Sequence, residues 1–251
     1  MRGVGFFFPK NKPIAKEVLI LSYPIILSNL SRVLMSMFDL VMVGHLGVSA
    51  LAATGMGGMV LWGALSIVIG IRTAVQTVSS RRLGQKKDFE VGIAFRIGII
   101  MASLYGLPVS LLGWYFAKDI VPFFIQDTTA TPLAINYVSI VSLSLLFSAY
   151  SFVFSGFYNG IEKTKIHLKV TVTSNLINLY LNALLIYGSE TINSFFLQID
   201  PRLSVFSFVW DWFSFPAYGV KGAGIATLIA SIWMAIHYCF YLFPVSVKTR
   251  F

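Results

Sequence analysis

Two charges sit inside sequence that is otherwise apolar. Asp39 lies in Met37-Phe38-Asp39-Leu40-Val41-Met42-Val43-Gly44, and Arg32 precedes it by seven residues. A charge at bilayer depth costs about 2.5–3.5 kcal/mol on insertion scales, so such residues face a bundle interior or a wet cavity and mark ion and substrate paths. The spacing puts both on one helix face, about 10 Å apart along the axis. Ser28, Arg32, Met35 and Asp39 recur at i, i+4, i+7 and i+11, a polar stripe along that face. Thr171, Asn175, Asn178 and Asn182 draw a matching stripe farther along the chain. An asparagine carbonyl can ligate a cation while its amide holds a carboxylate in place. Asp39, Asn178 and Asn182 therefore read as one proton or Na⁺ site. The alternative is plain hydrogen bonding between helices, worth about 0.6 kcal/mol per pair. Both readings stand for the asparagines, whereas an intramembrane carboxylate has few cheaper reasons to exist.

Little else in the chain could do chemistry. There is no H-E-x-x-H, G-x-S-x-G, Walker A or C-x-x-C pattern, so no enzyme, cofactor or metal site is expected beyond a coupling ion, H⁺ or Na⁺. Cys239, the single cysteine, excludes an internal disulfide framework. His45 reads as a solvated turn residue, and His167 and His237 carry weaker signals still. Arg72 and Arg96 lie near span ends, where snorkelling suffices.

Membrane helices must position these groups. The chain has 251 residues, 57% hydrophobic and 12% charged, against about 25% charged in soluble domains. Its mean hydropathy is +0.78. Six apolar stretches, at 18–43, 50–78, 91–116, 133–158, 168–187 and 222–244, reach the length of about 20 residues that a span needs. The first is too long and too charged for a signal peptide. The expected organisation is a cytoplasmic segment at 1–17, a six-helix transmembrane lobe at 18–244 and a cytoplasmic end at 245–251. The termini and the connections 79–90 and 159–169 hold 13 basic residues, and the opposite connections hold only Lys118, Arg202 and Lys221. The positive-inside rule then makes both termini cytoplasmic in a cell membrane. The net charge of +9 is a topology signal, and no nucleic-acid partner is expected; membrane lipid is.

Packing devices are also legible. Pro24 and Pro108 each remove a backbone hydrogen bond and favour a kink. Small residues recur at Gly219, Ala223, Thr227, Ser231 and Ala235, and again at Gly222, Ala226 and Ala230, where they let helices approach closely. Gly55, Gly58 and Gly63 read the same way. The stretch 188–218 holds eight Phe and Trp residues between breakers and reads as an outer re-entrant or interfacial segment.

At these residues the chain resembles the multidrug and toxic compound extrusion (MATE) family of cation-coupled antiporters. Leu21-Ser22-Tyr23-Pro24 with Phe38-Asp39-Leu40-Val41-Met42-Val43-Gly44-His45-Leu46-Gly47 and Ala50-Leu51-Ala52-Ala53 is similar to the family's first helix. Asn178-Leu179-Tyr180-Leu181-Asn182 through Tyr187-Gly188 is similar to its fifth, and Gly219-Val220-Lys221-Gly222-Ala223-Gly224-Ile225-Ala226-Thr227 to the start of its sixth. The resemblance implies an all-α integral membrane fold, six helices forming one lobe of a twelve-helix transporter. It places the ion-coupling carboxylate at Asp39, two polar partners at Asn178 and Asn182, and cavity residues at Tyr137 and Thr227, with Asn175 and Arg32 beside them. Arg32 stands where glutamine is familiar, and a fixed positive charge there would repel a bound cation. Members have two lobes, whereas this chain stops after the sixth stretch. The expectation is a fragment or a half-transporter that needs a second copy or a separate C-terminal half. Its cargo would be a small amphipathic, often cationic, organic compound. The alternatives are a lipid-linked or polysaccharide flippase and an inactive truncated membrane component.

Overall fold

In a bilayer every backbone N–H and C=O must find its partner within its own segment, so apolar runs of this length fold as helices. A computed structural model describes residues 12–191, 194 and 215–242. Among them are six helices long and apolar enough to cross a membrane: α1 (Lys12–Gly44), α2 (Val48–Gly84), α3 (Asp88–Tyr115), α5 (Ala130–Gly160), α6 (Thr164–Tyr187) and α7 (Val220–Phe240). A one-turn α4 (Ala117–Ile120) precedes a 3₁₀ turn at Val121–Phe123. The described residues contain no strand, and the fold is all-α, as expected. The helices overrun their apolar cores, so residues 12–17, expected before the first span, continue α1 as helix. The expectations placed on 1–11, on most of the aromatic stretch (192–193 and 195–214) and on 243–251 lie outside the described residues.

The connections are tight and chemically specified. Lys86 and Glu162 take left-handed φ values of 58° and 63° in the turns after α2 and α5. Asp127 organises the start of α5: its carboxylate accepts from the backbone N–H of Thr129 (2.9 Å) and Ala130 (2.7 Å) and from Thr129 Oγ1 (2.6 Å). Those bonds, the Thr129 hydroxyl first, hold the carboxyl below its ordinary range. Between α6 and α7 the chain returns to where it left. Ser189 N–H donates to Phe215 O at 3.1 Å, and Tyr218 N–H to Leu185 O at 2.9 Å.

The core is built around α5, which packs against α2, α3 and α7. Its residues Val153 to Gly160 are all buried. Aromatic rings fill the junction with α7: Phe154 and Tyr238 stack at 5.4 Å and Tyr158 and Tyr238 at 5.7 Å. Helix α1 lies at the edge of the lobe and packs mainly on α6. It runs unbroken through Pro24, whose carbonyl accepts from Ser28 Oγ at 2.7 Å.

Close approach of helices falls on glycines other than those in α2 that the sequence suggested. A Cβ at Gly55, Gly58 or Gly63 would meet nothing within 4 Å. These positions face lipid or open space rather than a neighbouring backbone, which corrects that expectation. The tight positions are Gly156, where a Cβ would come within 2.5 Å of Arg72 O, Gly160, at 2.7 Å from Gln76 O, and Gly222, against Leu185 O. Gly156 and Gly160 are four apart on α5 and seat the α2 backbone. The second small-residue row of α7, Gly222, Ala226 and Ala230, is buried throughout, in line with the sequence reading.

Topology is tested by cysteine labelling in a Cys239→Ser background. Gln85→Cys, between α2 and α3, and Lys118→Cys, in α4, are both exposed and lie at opposite ends of α3. The charge asymmetry predicts that an impermeant thiol reagent outside intact cells labels Lys118→Cys at least tenfold more than Gln85→Cys. Equal labelling, or the reverse, sinks the orientation.

Candidate functional site

A cavity of about 340 Å³ opens inside the lobe, walled by α1, α2, α5, α6 and α7. Side chains at helical spacing reach it from each: Arg32 and Asp39 from α1, Trp62 from α2, Tyr137 from α5, Asn178 from α6 and Thr227 from α7. Arg32, Asp39, Tyr137, Asn175, Asn178 and Thr227 all line it, and Asn182, behind the lining, is bonded to Asp39. The sequence marked polar stripes only on α1 and α6; α2, α5 and α7 of the same chain line the cavity with them. Periodicity finds the polar face of each helix but not what stands across from it.

At one end, Asn182 Nδ2 donates to Asp39 Oδ1 at 2.5 Å. Asn178, one turn earlier on α6, offers its carbonyl to the same Nδ2 at 3.4 Å. Asn182 Oδ1 is buried and has no hydrogen-bond partner among the described residues. The site therefore holds one carboxylate, one amide already engaged with it and one amide oxygen still open. Tyr137, half-buried, leans on α2, where a Cβ at Gly57 would touch its ring.

Two of the other candidates are engaged structurally. Asn175 spends its amide on Ser31 Oγ at 2.8 Å, tying α6 to α1. Thr227 Oγ1 donates to Ala223 O on its own helix at 3.0 Å. Arg32, nearly two turns before Asp39, makes one long bond, Nη2 donating to Asn29 Oδ1 at 3.4 Å. It lines the cavity inside the lobe.

Sequence reasoning passed over a group at the Arg32 end. His167 is 1% exposed, lines the cavity, and has Nδ1 2.5 Å from Tyr238 Oη. Ser144, Ser148, Ser151 and Ser155 line it from α5 at i, i+4, i+7 and i+11. That serine spacing was a visible signal; the burial of His167 was not, because it depends on Tyr238, 71 residues away. Arg72 does more than snorkel: it is half-buried, with Cζ 5.7 Å from the Phe152 ring centroid.

Comparison with known proteins matches this arrangement to one family. The MatE family model covers residues 24–184. The "Probable multidrug resistance protein NorM" of Rhodopseudomonas palustris is 26% identical over 220 residues, 88% of this chain and 41% of that protein. Its namesake in Synechococcus is 27% identical over 173 residues, 69% of this chain and 37% of that protein. Among solved structures, a MOP superfamily transporter from Pyrococcus furiosus superposes with a TM-score of 0.76 at 19% identity, covering 94% of this chain and 46% of its own. An outward-facing multidrug resistance MATE family transporter gives 0.75 at 19% identity, covering 91% and 45%. The chain thus spans less than half the length of the relatives it matches.

Proposed function

The chain belongs to the MATE family, and from that premise we propose that it works as the N-terminal lobe of a cation-coupled exporter of amphipathic organic compounds, cationic ones among them. The observation that carries this reading is the Asp39–Asn182 contact of 2.5 Å at one end of a cavity inside six membrane-spanning helices. A carboxylate there can take up and release an ion as the cavity opens and closes. Protonated Asp39 could donate to the open Asn182 Oδ1 while still accepting from Nδ2, a two-bond acid–amide pair. The ionised form makes one bond fewer, so this geometry supports H⁺ as the coupling ion. Na⁺ would instead use the Asp39 carboxylate with the Asn178 and Asn182 carbonyl oxygens, a hard oxygen donor set.

Alternating access in such folds comes from one repeat moving against another around the site between them. A six-helix lobe supplies the ion site and one moving body, and a second lobe, a second copy or a C-terminal half, supplies the other. Export of a fluorescent organic cation should therefore stay at background when this chain is expressed alone. It should rise at least tenfold on co-expression with a C-terminal half taken from a full-length relative, or at densities that allow pairing. Single-molecule counting in liposomes at high lipid-to-protein ratio sets the stoichiometry. Robust coupled export from a chain proven monomeric would overturn the requirement, and no export from any pairing would leave an inactive membrane component.

A further inference from the structure

The Arg32 end of the cavity is built for the opposite charge. Among the described residues no carboxylate lies within ion-pair distance of Arg32 or Arg72; the ion pairs found there join Arg82 and Lys87 to Glu90. Arg32 and His167 line the same cavity, and Arg72 Cζ stands 5.7 Å from the ring of Phe152, which lines it too. Two side chains lining the cavity are almost wholly buried and lack a hydrogen-bond partner among the described residues: His167 at Nε2, 1% exposed, and Ser151 at Oγ, 4% exposed. In the tautomer whose Nδ1 accepts the phenolic proton of Tyr238, the imidazole carries its own proton on Nε2, which is then a donor. Buried donors without an acceptor are costly and call for one. A fixed positive charge, an imidazole N–H and a serine hydroxyl lining one cavity are the groups that bind oxyanions, and a guanidinium fork fits a carboxylate or phosphate edge.

We propose that this end of the cavity binds the oxyanion group of an amphipathic molecule, with Arg32 supplying the charge and His167 Nε2 and Ser151 Oγ the hydrogen bonds. Trp62, Leu65 and Met234 line the remaining wall and take the apolar body. The volume, about 340 Å³, falls within the range of about 300–1,000 Å³ common for organic ligands. Asp39 stands about 10 Å along the same face and repels an acid group from its own end, so the ligand lies in one orientation. A zwitterion of that length would satisfy both ends. This names an acidic or zwitterionic cargo for the transport reading and rests on that reading only for the cargo being carried; binding is independent of it.

The test uses the whole chain in phosphatidylcholine nanodiscs and equilibrium binding of radiolabelled 2-naphthalenesulfonate, against the matched cation 2-naphthylmethylammonium. The sulfonate should bind saturably and at least tenfold tighter than the cation. Arg32→Gln should weaken sulfonate binding at least tenfold, Arg32→Lys should recover most of it, and Ser151→Ala should weaken it about threefold. Displacement by inorganic phosphate assigns the site to a soluble oxyanion. Displacement on exchanging the lipid for phosphatidylglycerol, and not by phosphate, assigns it to a lipid headgroup. Displacement by neither, with the sulfonate still preferred, leaves an organic acid as the ligand. A sulfonate bound no tighter than the cation, or unaffected by Arg32→Gln, overturns the proposal; the wild-type comparison decides even if that variant does not fold. Because no transport is read, failure of the export assay and failure of this one are separate results.

Discussion

Asp39→Asn is expected to remove ion-coupled export, with at least a hundredfold loss of gradient-driven transport in the paired protein. The substitution is nearly isosteric, and the amide can still accept from Asn182 Nδ2, so insertion and folding should be retained. What it cannot do is exchange a proton or supply a full negative charge. Asn182→Ala removes the donor now bonded to Asp39 and the open acceptor beside it, and should cost about tenfold. Asn178→Ala, whose contact is the longer one at 3.4 Å, should cost less. The measurement is export at matched membrane expression, driven in turn by a pH gradient and by a Na⁺ gradient in proteoliposomes. Response to pH alone supports the acid–amide pair; response to Na⁺ supports the three-oxygen site. Undiminished export by Asp39→Asn under both gradients would reduce the residue to a structural hydrogen bond.

The second large effect concerns folding. Gly222→Val should destabilise the lobe by about 3 kcal/mol, at the upper end of overpacking costs, and leave little folded protein in mild detergent. Gly222 opens α7 against the last turn of α6, and any Cβ there meets the Leu185 carbonyl. The obstacle is backbone, which cannot turn aside as a flexible side chain can. The same carbonyl accepts from Tyr218 N–H at 2.9 Å, so shifting it also breaks the bond that brings the chain back to α7. Gly55→Val is the control: it lies on an exposed face of α2 with nothing within 4 Å and should change stability by less than about 0.5 kcal/mol. Size-exclusion profiles after stepped heating measure both. Equal stability of the two variants would mean that α6 and α7 do not pack as closely as described.

Much of the architecture was legible from local rules. A 20-residue apolar run in a bilayer has one backbone solution, so six stretches become six helices. Periodicity set Asp39 with Arg32 on one face of α1, and Asn178 with Asn182 on one face of α6, because residues seven or four apart share a face whatever surrounds them. The small-residue row of α7 was equally readable, since only small side chains let backbones touch.

What the sequence could not decide was which faces meet. Gly55, Gly58 and Gly63 looked like Gly156 and Gly160, yet only the latter pair faces another backbone. Composition cannot separate a glycine facing lipid from one under a neighbouring helix. Thr227 and Asn175 line the cavity, but their engagement with Ala223 and Ser31 depends on distances no spacing rule contains. Above all, the closing of the polar seam into a cavity by α2, α5 and α7 is a tertiary fact. So is the sharing of one cavity by Arg32 with Ser151 and His167, which lie on two other helices more than a hundred residues farther along the chain. Sequence by itself determined that the chain spans a membrane and which faces of its helices are polar, because both follow from transfer energies and helical pitch. Only the tertiary structure decided that those faces enclose one cavity with a carboxylate at one end and a guanidinium at the other, because enclosure depends on how helices distant in sequence pack.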